Sequence, residues 1–325
     1  MQDKRNLIHT SIALLIMMIR SHLQKRHQRE NDNDRRKKPR MIINRNPNLM
    51  RDPLSLLQYH LGTYSQKFFR LPKELFFEIV NYIKLQIAKH MKSWRVNGQA
   101  ITIPVELKLM ITLRFLAGGI YSDIAHLFGV ANSTVYAIVK ETIAAINNCE
   151  KLRIRFPSDE VLLDQIDKGF ASRSHGFIKG CIGAIDGLRT KIVSPNQTST
   201  SKSRAYIDKD GNNSILSIVL CNDFNVITYF QTEYCGSTHD NYSFENSSLH
   251  KIFSNLSELK KNNPSDPALL KWNNRFIIGD SAFSQSEFLI KPYSQERAMK
   301  VEACSMLNNE LARMRVEIER TFGEY

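Results

Sequence analysis

Several features that would identify a function at a glance are missing from this chain. Only five cysteines occur in 325 residues, at positions 149, 181, 221, 235 and 304. Their number is odd, and none forms a Cys-x-x-Cys pair or a Cys/His ligand spacing. This argues against a disulfide framework or a zinc site and favours a reducing compartment. No internal repeat is present. The apolar stretch LIHTSIALLIMMI (7–19) is too short to span a bilayer. It is followed by RSHLQKRHQRE rather than by the small residues of a cleavage site. It reads as an amphipathic or packed helix, and no membrane partner is expected.

Positive charge, in contrast, is abundant. Lys and Arg number 45 against 32 Asp and Glu, a net charge of +13, which points to a polyanionic partner. The charge is concentrated at the start. Residues 1–51 hold 13 Lys/Arg and 4 Asp/Glu, nine of the thirteen net charges. Within this segment QKRHQRENDNDRRKKPR (24–40) has no hydrophobic periodicity and reads as a linker, and RRKKPR fits a nuclear-import patch. Hydrophobic residues make up 42% of the chain, so most of the remainder should fold.

From 54 to 147 apolar residues recur at helical spacing. Beyond RIRFPS (153–158) strand-like runs appear at 181–185, 214–221, 226–232 and 275–279, with helices at about 240–253 and 303–322. The expected organisation is a basic segment 1–51, a helical region 52–150 and a mixed α/β domain 151–325.

The segment YSDIAHLFGVANSTVYAIVKETI (121–143) has the spacing of a helix-turn-helix occupying 121–146. Ser122 is positioned to cap a first helix and Gly129 to form the left-handed turn. Asn132 or Ser133 is positioned to cap a second helix. Ile124, Val135 and Ile138 are expected in the shared core, with Ala125 at the crossing. That leaves Asn132, Ser133, Tyr136 and Lys140 facing outward, able to reach base edges or phosphates. An ordinary helical hairpin is the plainer alternative.

Two apolar strands each end on an acid: CIGAID on Asp186, with Gly187 next, and FIIGD on Asp280. Asp-Gly is a common turn dipeptide, so Asp186 alone signals little. Two carboxylates delivered by neighbouring strands repel in a poorly solvated site unless a cation lies between them, and hard oxygen ligands suit Mg²⁺ or Mn²⁺. A third acid is wanted on a helix. NNELARMRVEIERTFG (308–323) supplies one, with Leu311, Met314, Ile318 and Phe322 in a stripe. Glu319 lies beside that stripe. Glu317 lies about 200° round the helix from Glu319, on a face expected to be exposed and to pair with Arg313 or Arg320.

Taken in order, FFRLPKELFFEIV, LRFLAGGIYSDIAHLFGVANSTVYAIV, GFIKGCIGAIDG, GSTHDNYSF, IIGDSAF and NNELARMRVEIERTFG resemble the successive blocks of the PIF/Harbinger transposases and the nucleases derived from them. The resemblance implies an RNase H-like catalytic domain of mixed sheet and flanking helices, preceded by an all-α helix-turn-helix region. It also implies a catalytic, metal-binding triad of Asp186, Asp280 and Glu319. In the family pattern the acid stands three before Phe, which selects Glu319 over Glu317. His239 and Asp240 are expected near the site, His239 in support and Asp240 as a helix cap. The implied chemistry is Mg²⁺- or Mn²⁺-dependent cleavage of double-stranded DNA in the nucleus, with a Myb-like DNA-binding partner usual in the family. The chain departs from the pattern at Leu188-Arg189, where Thr-His is usual, and at Ala282-Phe283, where Gly-Tyr is usual. It stops two residues after Phe-Gly, which suggests a catalytic domain truncated at its C-terminus, from a fragment or a domesticated gene. The alternative function is a catalytically silent DNA-binding relic. A carboxylate-pair hydrolase acting on sugars would leave the helix-turn-helix unexplained.

Overall fold

A computed structural model of the chain describes residues 71–88, 94–96, 99–101, 103–192 and 204–323. The basic segment 1–51 and residues 52–70 lie outside these. The described residues divide into a helical unit up to Arg153 and a sheet unit from Ile154.

In the helical unit, α1 (Lys73–Ala88) buries Leu75, Phe76, Ile79, Val80, Ile83 and Ile87. Their spacing is that of an amphipathic helix with one inward stripe. A region expected to be all-α then forms a short antiparallel ladder, β1 (Trp94–Val96) with β2 (Gln99–Ile101). The residues between them are Asn97-Gly98, the dipeptide most favoured in two-residue hairpin loops. Helices α2 (Val105–Leu116), α3 (Tyr121–Phe128) and α4 (Asn132–Asn148) pack on one another. Lys108 on α2, only 2% exposed, reaches Glu141 on α4 at 2.7 Å. A buried ammonium is tolerable only with such a partner.

The turn between α3 and α4 is made by Gly129, at φ +64°. The N–H of Val130 donates back to Ala125 O at 3.0 Å, a Schellman closure. Ile124, Ala125, Val135 and Ile138 are buried. The expected side-chain caps are not formed. Ile120 and Ala131 hold the N-cap positions without a side-chain bond, and Ser122, Asn132 and Ser133 fall inside the helices. Thr134 and Val135 N–H groups go to Ala131 O, so the start of α4 is set directly by the turn.

The sheet unit begins with α5 (Glu160–Arg173), capped by Asp159, whose Oδ1 accepts the Leu162 N–H at 3.0 Å. Strands β3 (Cys181–Lys191), β4 (Ser214–Cys221) and β5 (Ile227–Cys235) form an antiparallel meander. The chain continues through α6 (Asp240–Glu245), α7 (Ser248–Asn262) and α8 (Pro267–Leu270). It then adds β6 (Phe276–Ile278) and β7 (Leu289–Ile290), parallel to β3, before α9 (Gln295–Lys300) and α10 (Glu302–Gly323). The sheet order β5-β4-β3-β6-β7 with flanking helices fits an RNase H-like domain. Ile185, Ile218, Leu220, Ile277 and Leu289 meet Phe244, Leu249, Phe253 and Phe283 in the core. The stretch expected as one helix at 240–253 is two, because Ser247 caps a new start through the His250 N–H at 3.1 Å.

A β-branched residue at position 129 would have to take up a left-handed backbone, at a cost of about 1–2 kcal/mol. Gly129→Val should therefore lower the urea midpoint of the chain clearly, whereas Gly129→Asn, which tolerates that conformation, should lower it much less.

Candidate metal centre

Asp186 does not end its strand. Strand β3 runs five residues further, paired with β4 from Ala184↔Cys221 to Lys191↔Ser214. What ends near Asp186 is the parallel neighbour. Ala184 stands opposite Ile278, the last residue of β6, and Asp186 and Asp280 each lie two residues beyond that pair. Both are therefore delivered to the same end of the β3–β6 pair. The Gly187 N–H donates to Asp186 Oδ1 at 2.7 Å, and Asp280 Oδ1 accepts the Ala282 N–H at 2.9 Å. Burial raises the Asp186 carboxyl to about pKa 6, and the negative charge of Asp280 adds to the rise. The Gly187 N–H and the Arg315 guanidinium oppose it.

Helix α10 packs against β3 and β4 with Leu311, Met314 and Ile318 buried, and Thr321 rather than Phe322 completes the stripe. Its two flanks differ in kind. On one, Arg315 lies near enough for its charge to act on Asp186 and stands 3.7 Å from Glu319, whose side chain is 60% exposed. On the other, Glu317 is 1% exposed, not on an exposed face as its helix position suggested. It pairs with Arg173 of α5 at 2.8 Å and with Arg320 at 2.9 Å, whereas Arg313 pairs with Glu310. Beside it, burial pushes Asp223 up to about pKa 7, and the charge of Glu317 contributes. Sequence reasoning missed both the Arg173–Glu317–Asp223 cluster and Arg315. The only available signal for the latter was its position four residues before Glu319.

His239, not Asp240, caps α6: its Nδ1 accepts the Asn241 N–H at 3.3 Å, and the ring is exposed. Asp240 is drawn inward by Arg189 at 2.8 Å and lies against Gly187, where a Cβ would come within 2.8 Å of its carboxyl. Side chains alternate along a strand, so Asp186 and the Gly187 position face opposite sides of the sheet. Asp240 is thus held beneath the site rather than in it. Among the described residues no three His, Cys, Asp or Glu side chains close around one point. Asp186 and Asp280 are brought together, and Glu319 is left at the rim.

In the helical unit, Ser133 and Lys140 of α4 are exposed. Tyr136 does not project freely. It is half-buried against Tyr121, with centroids 6.0 Å apart, and Tyr121 in turn stacks on Phe115. Asn132 Oδ1 is buried. No described helix is long and apolar enough to cross a membrane.

Residues 185–325 match the DDE superfamily endonuclease family. The chain is also similar to HARBI1, named as a candidate nuclease, of Rattus norvegicus (22% identity), Mus musculus (21%) and Homo sapiens (20%), in each case over 230 residues. These residues make up 70% of this chain and 58% of each relative, so the match spans less than two thirds of their length. No solved structure gives a significant match.

The raised Asp186 fixes the sign of a pH effect. Its folded pKa of about 6 exceeds the ordinary value of 3.8, so its contribution to stability is complete below about pH 4 and is lost as pH rises through 6. Asp186→Asn cannot ionise. Without metal it should be more stable than the parent at pH 7.5 by about 1–3 kcal/mol, with the difference gone near pH 4, read by denaturant midpoints across that range. A second comparison separates the flanks of α10. Glu317→Gln leaves Arg173 and Arg320 without their shared carboxylate and should cost about 2–4 kcal/mol. Glu319→Gln removes a surface pair worth at most about 1 kcal/mol.

Proposed function

We propose that this chain, whose residues 185–325 carry a DDE superfamily endonuclease domain, cleaves DNA phosphodiester bonds with a divalent cation held by Asp186, Asp280 and Glu319. The observation that carries the reading is the adjacency of Asp186 and Asp280 at the end of the β3–β6 parallel pair. Two carboxylates this close, one of them buried enough to resist ionisation, form a donor set suited to Mg²⁺ or Mn²⁺. Such an ion, when bound, lowers the pKa of a water and offsets charge on the leaving oxygen. Asp186 and Asp280 fix the place of the reacting phosphate at the end of the β3–β6 pair. Glu319 joins from the Asp186 side of α10, and Glu317 stays in its ion-pair cluster on the far side. His239 and Asp240 act through structure, holding the start of α6 and the loop before it.

DNA is the proposed substrate, held in part by the α3–α4 pair through Ser133 and Lys140 and by the basic segment 1–51, with the nucleus as the proposed location. The exposure of Glu319 and the lack, among the described residues, of a closed three-acid cluster favour one rival, a DNA-binding relic without turnover. Incubation of supercoiled plasmid with the protein and Mg²⁺ or Mn²⁺ decides between them. Nicking should be abolished by chelator, by Asp186→Asn and by Asp280→Asn, and strongly reduced by Glu319→Gln. Full nicking by the Asp186 variant would remove the triad, and no nicking by the parent protein would leave the relic.

A further inference from the structure

Among the described residues Arg315 is the cation whose charge acts on Asp186, and two features of its placement stand out. Its side chain is only 18% exposed although it sits on a helix flank leading to solvent. Its Nε is buried with no hydrogen-bond partner, a state it shares with Arg173, so the two differ only in what their terminal nitrogens hold. Its charge acts on Asp186 from one side, while its terminal nitrogen stands 3.7 Å from Glu319 on the other. A guanidinium held for structural stability would be expected to lock onto a carboxylate through two bonds. This one makes a single long contact with an exposed partner. By contrast Arg173, on the other flank of α10, is fastened at 2.8 Å to the Glu317 carboxylate and at 2.6 Å to the Asp223 carbonyl.

We propose that Arg315 is a displaceable internal counter-ion: its guanidinium balances Asp186 and Glu319 in the metal-free protein and must withdraw before a divalent cation can join the two acids. The inference rests on the proposed metal site and adds a competitor built into the chain. Adjacent carboxylates without a cation destabilise the fold by mutual repulsion. A resident positive charge relieves that repulsion, and the same charge opposes an incoming divalent ion at short range. Arg315 therefore sets the metal concentration at which the site fills. Loose attachment is what such a role requires, since a bidentate pair would have to be broken at every filling.

The test is calorimetric titration of Mn²⁺ alone into the full chain, its Arg315→Met and Arg315→Lys variants, and Asp186→Asn. Arg315→Met should bind Mn²⁺ about tenfold more tightly than the parent, and Arg315→Lys, which keeps the charge, should bind close to the parent. Without metal, Arg315→Met should melt several degrees below the parent near pH 8, and saturating Mn²⁺ should restore the difference. Equal or weaker Mn²⁺ binding by Arg315→Met overturns the proposal while leaving the metal site standing. If neither the parent nor Arg315→Met binds Mn²⁺, or if Asp186→Asn binds as the parent does, the metal site fails and the counter-ion role goes with it.

Discussion

The register between β3 and β6 puts two carboxylates next to each other at the end of that parallel pair, and their repulsion is the condition to which the surroundings respond. Ala184 opposite Ile278 fixes it, because Asp186 and Asp280 follow at equal spacing. Below them the sheet is closed by Ile185, Ile277 and Phe283, so water cannot screen the pair from that side. The relief comes from above and along the backbone. The Gly187 and Ala282 N–H groups each donate to one carboxylate, and Arg315 adds a positive charge from α10. Even so the balance favours a proton on Asp186 well above its ordinary range. The two acids therefore carry more negative charge than the groups around them offset.

Helix α10 serves that site by keeping unlike groups apart. Its inner stripe of Leu311, Met314 and Ile318 fixes rotation about the helix axis. Once rotation is fixed, the 200° between Glu317 and Glu319 becomes a separation between two environments. Glu317 is buried among Arg173, Arg320 and the β4–β5 turn, where burial without these cations would be prohibitive. Glu319 keeps its solvent and a single weak partner, which leaves it free to move. Anchoring one acid and releasing the other are two results of one packing decision.

Much of this was legible in the sequence, for physical reasons. The apolar runs at 214–221 and 275–279 were long or sharply bounded, and the observed strands at 214–221 and 276–278 follow them closely. The stripe of α10 has a strong helical period, so its extent and inner face were readable. The errors arose where tertiary context outweighs local pattern. Asp-Gly looked like the end of β3, but pairing with β4 carries the strand through Gly187, whose missing Cβ admits the Asp240 carboxyl. The caps at Ser122 and Asn132 were plausible locally, but the turn at Gly129 sets both helix boundaries. Tyr136 looked outward on a helical wheel, which does not show that Tyr121 covers it. Arg173 was invisible because its partners are about 50 and 144 residues away in sequence, and no local rule connects positions at that distance.

Arg189 shows how a departure from a family pattern is absorbed. Where the resemblance leads one to expect a histidine two residues after the glycine, this chain has a longer and permanently charged side chain. Arg189 Nη2 donates to Asp240 at 2.8 Å and to the Thr238 carbonyl at 3.3 Å, and its Nε donates to the Gly236 carbonyl at 3.4 Å. One planar fork thereby pins the 236–240 loop against the C-terminal part of β3, a task for which its several donors in fixed geometry are suited. The loop feeds α6, whose Asn241 Oδ1 accepts the Ser284 N–H at 2.6 Å, four residues after Asp280. A chain of contacts therefore runs from Arg189 through Asp240 and α6 to the loop that carries Asp280. Any chemistry a histidine would supply at position 189 is absent, but the scaffolding of the second aspartate is retained by an arginine acting from the opposite face of the sheet. The β3–β6 register sets Asp186 and Asp280 side by side, and this run of contacts braces the loop that follows the second of them.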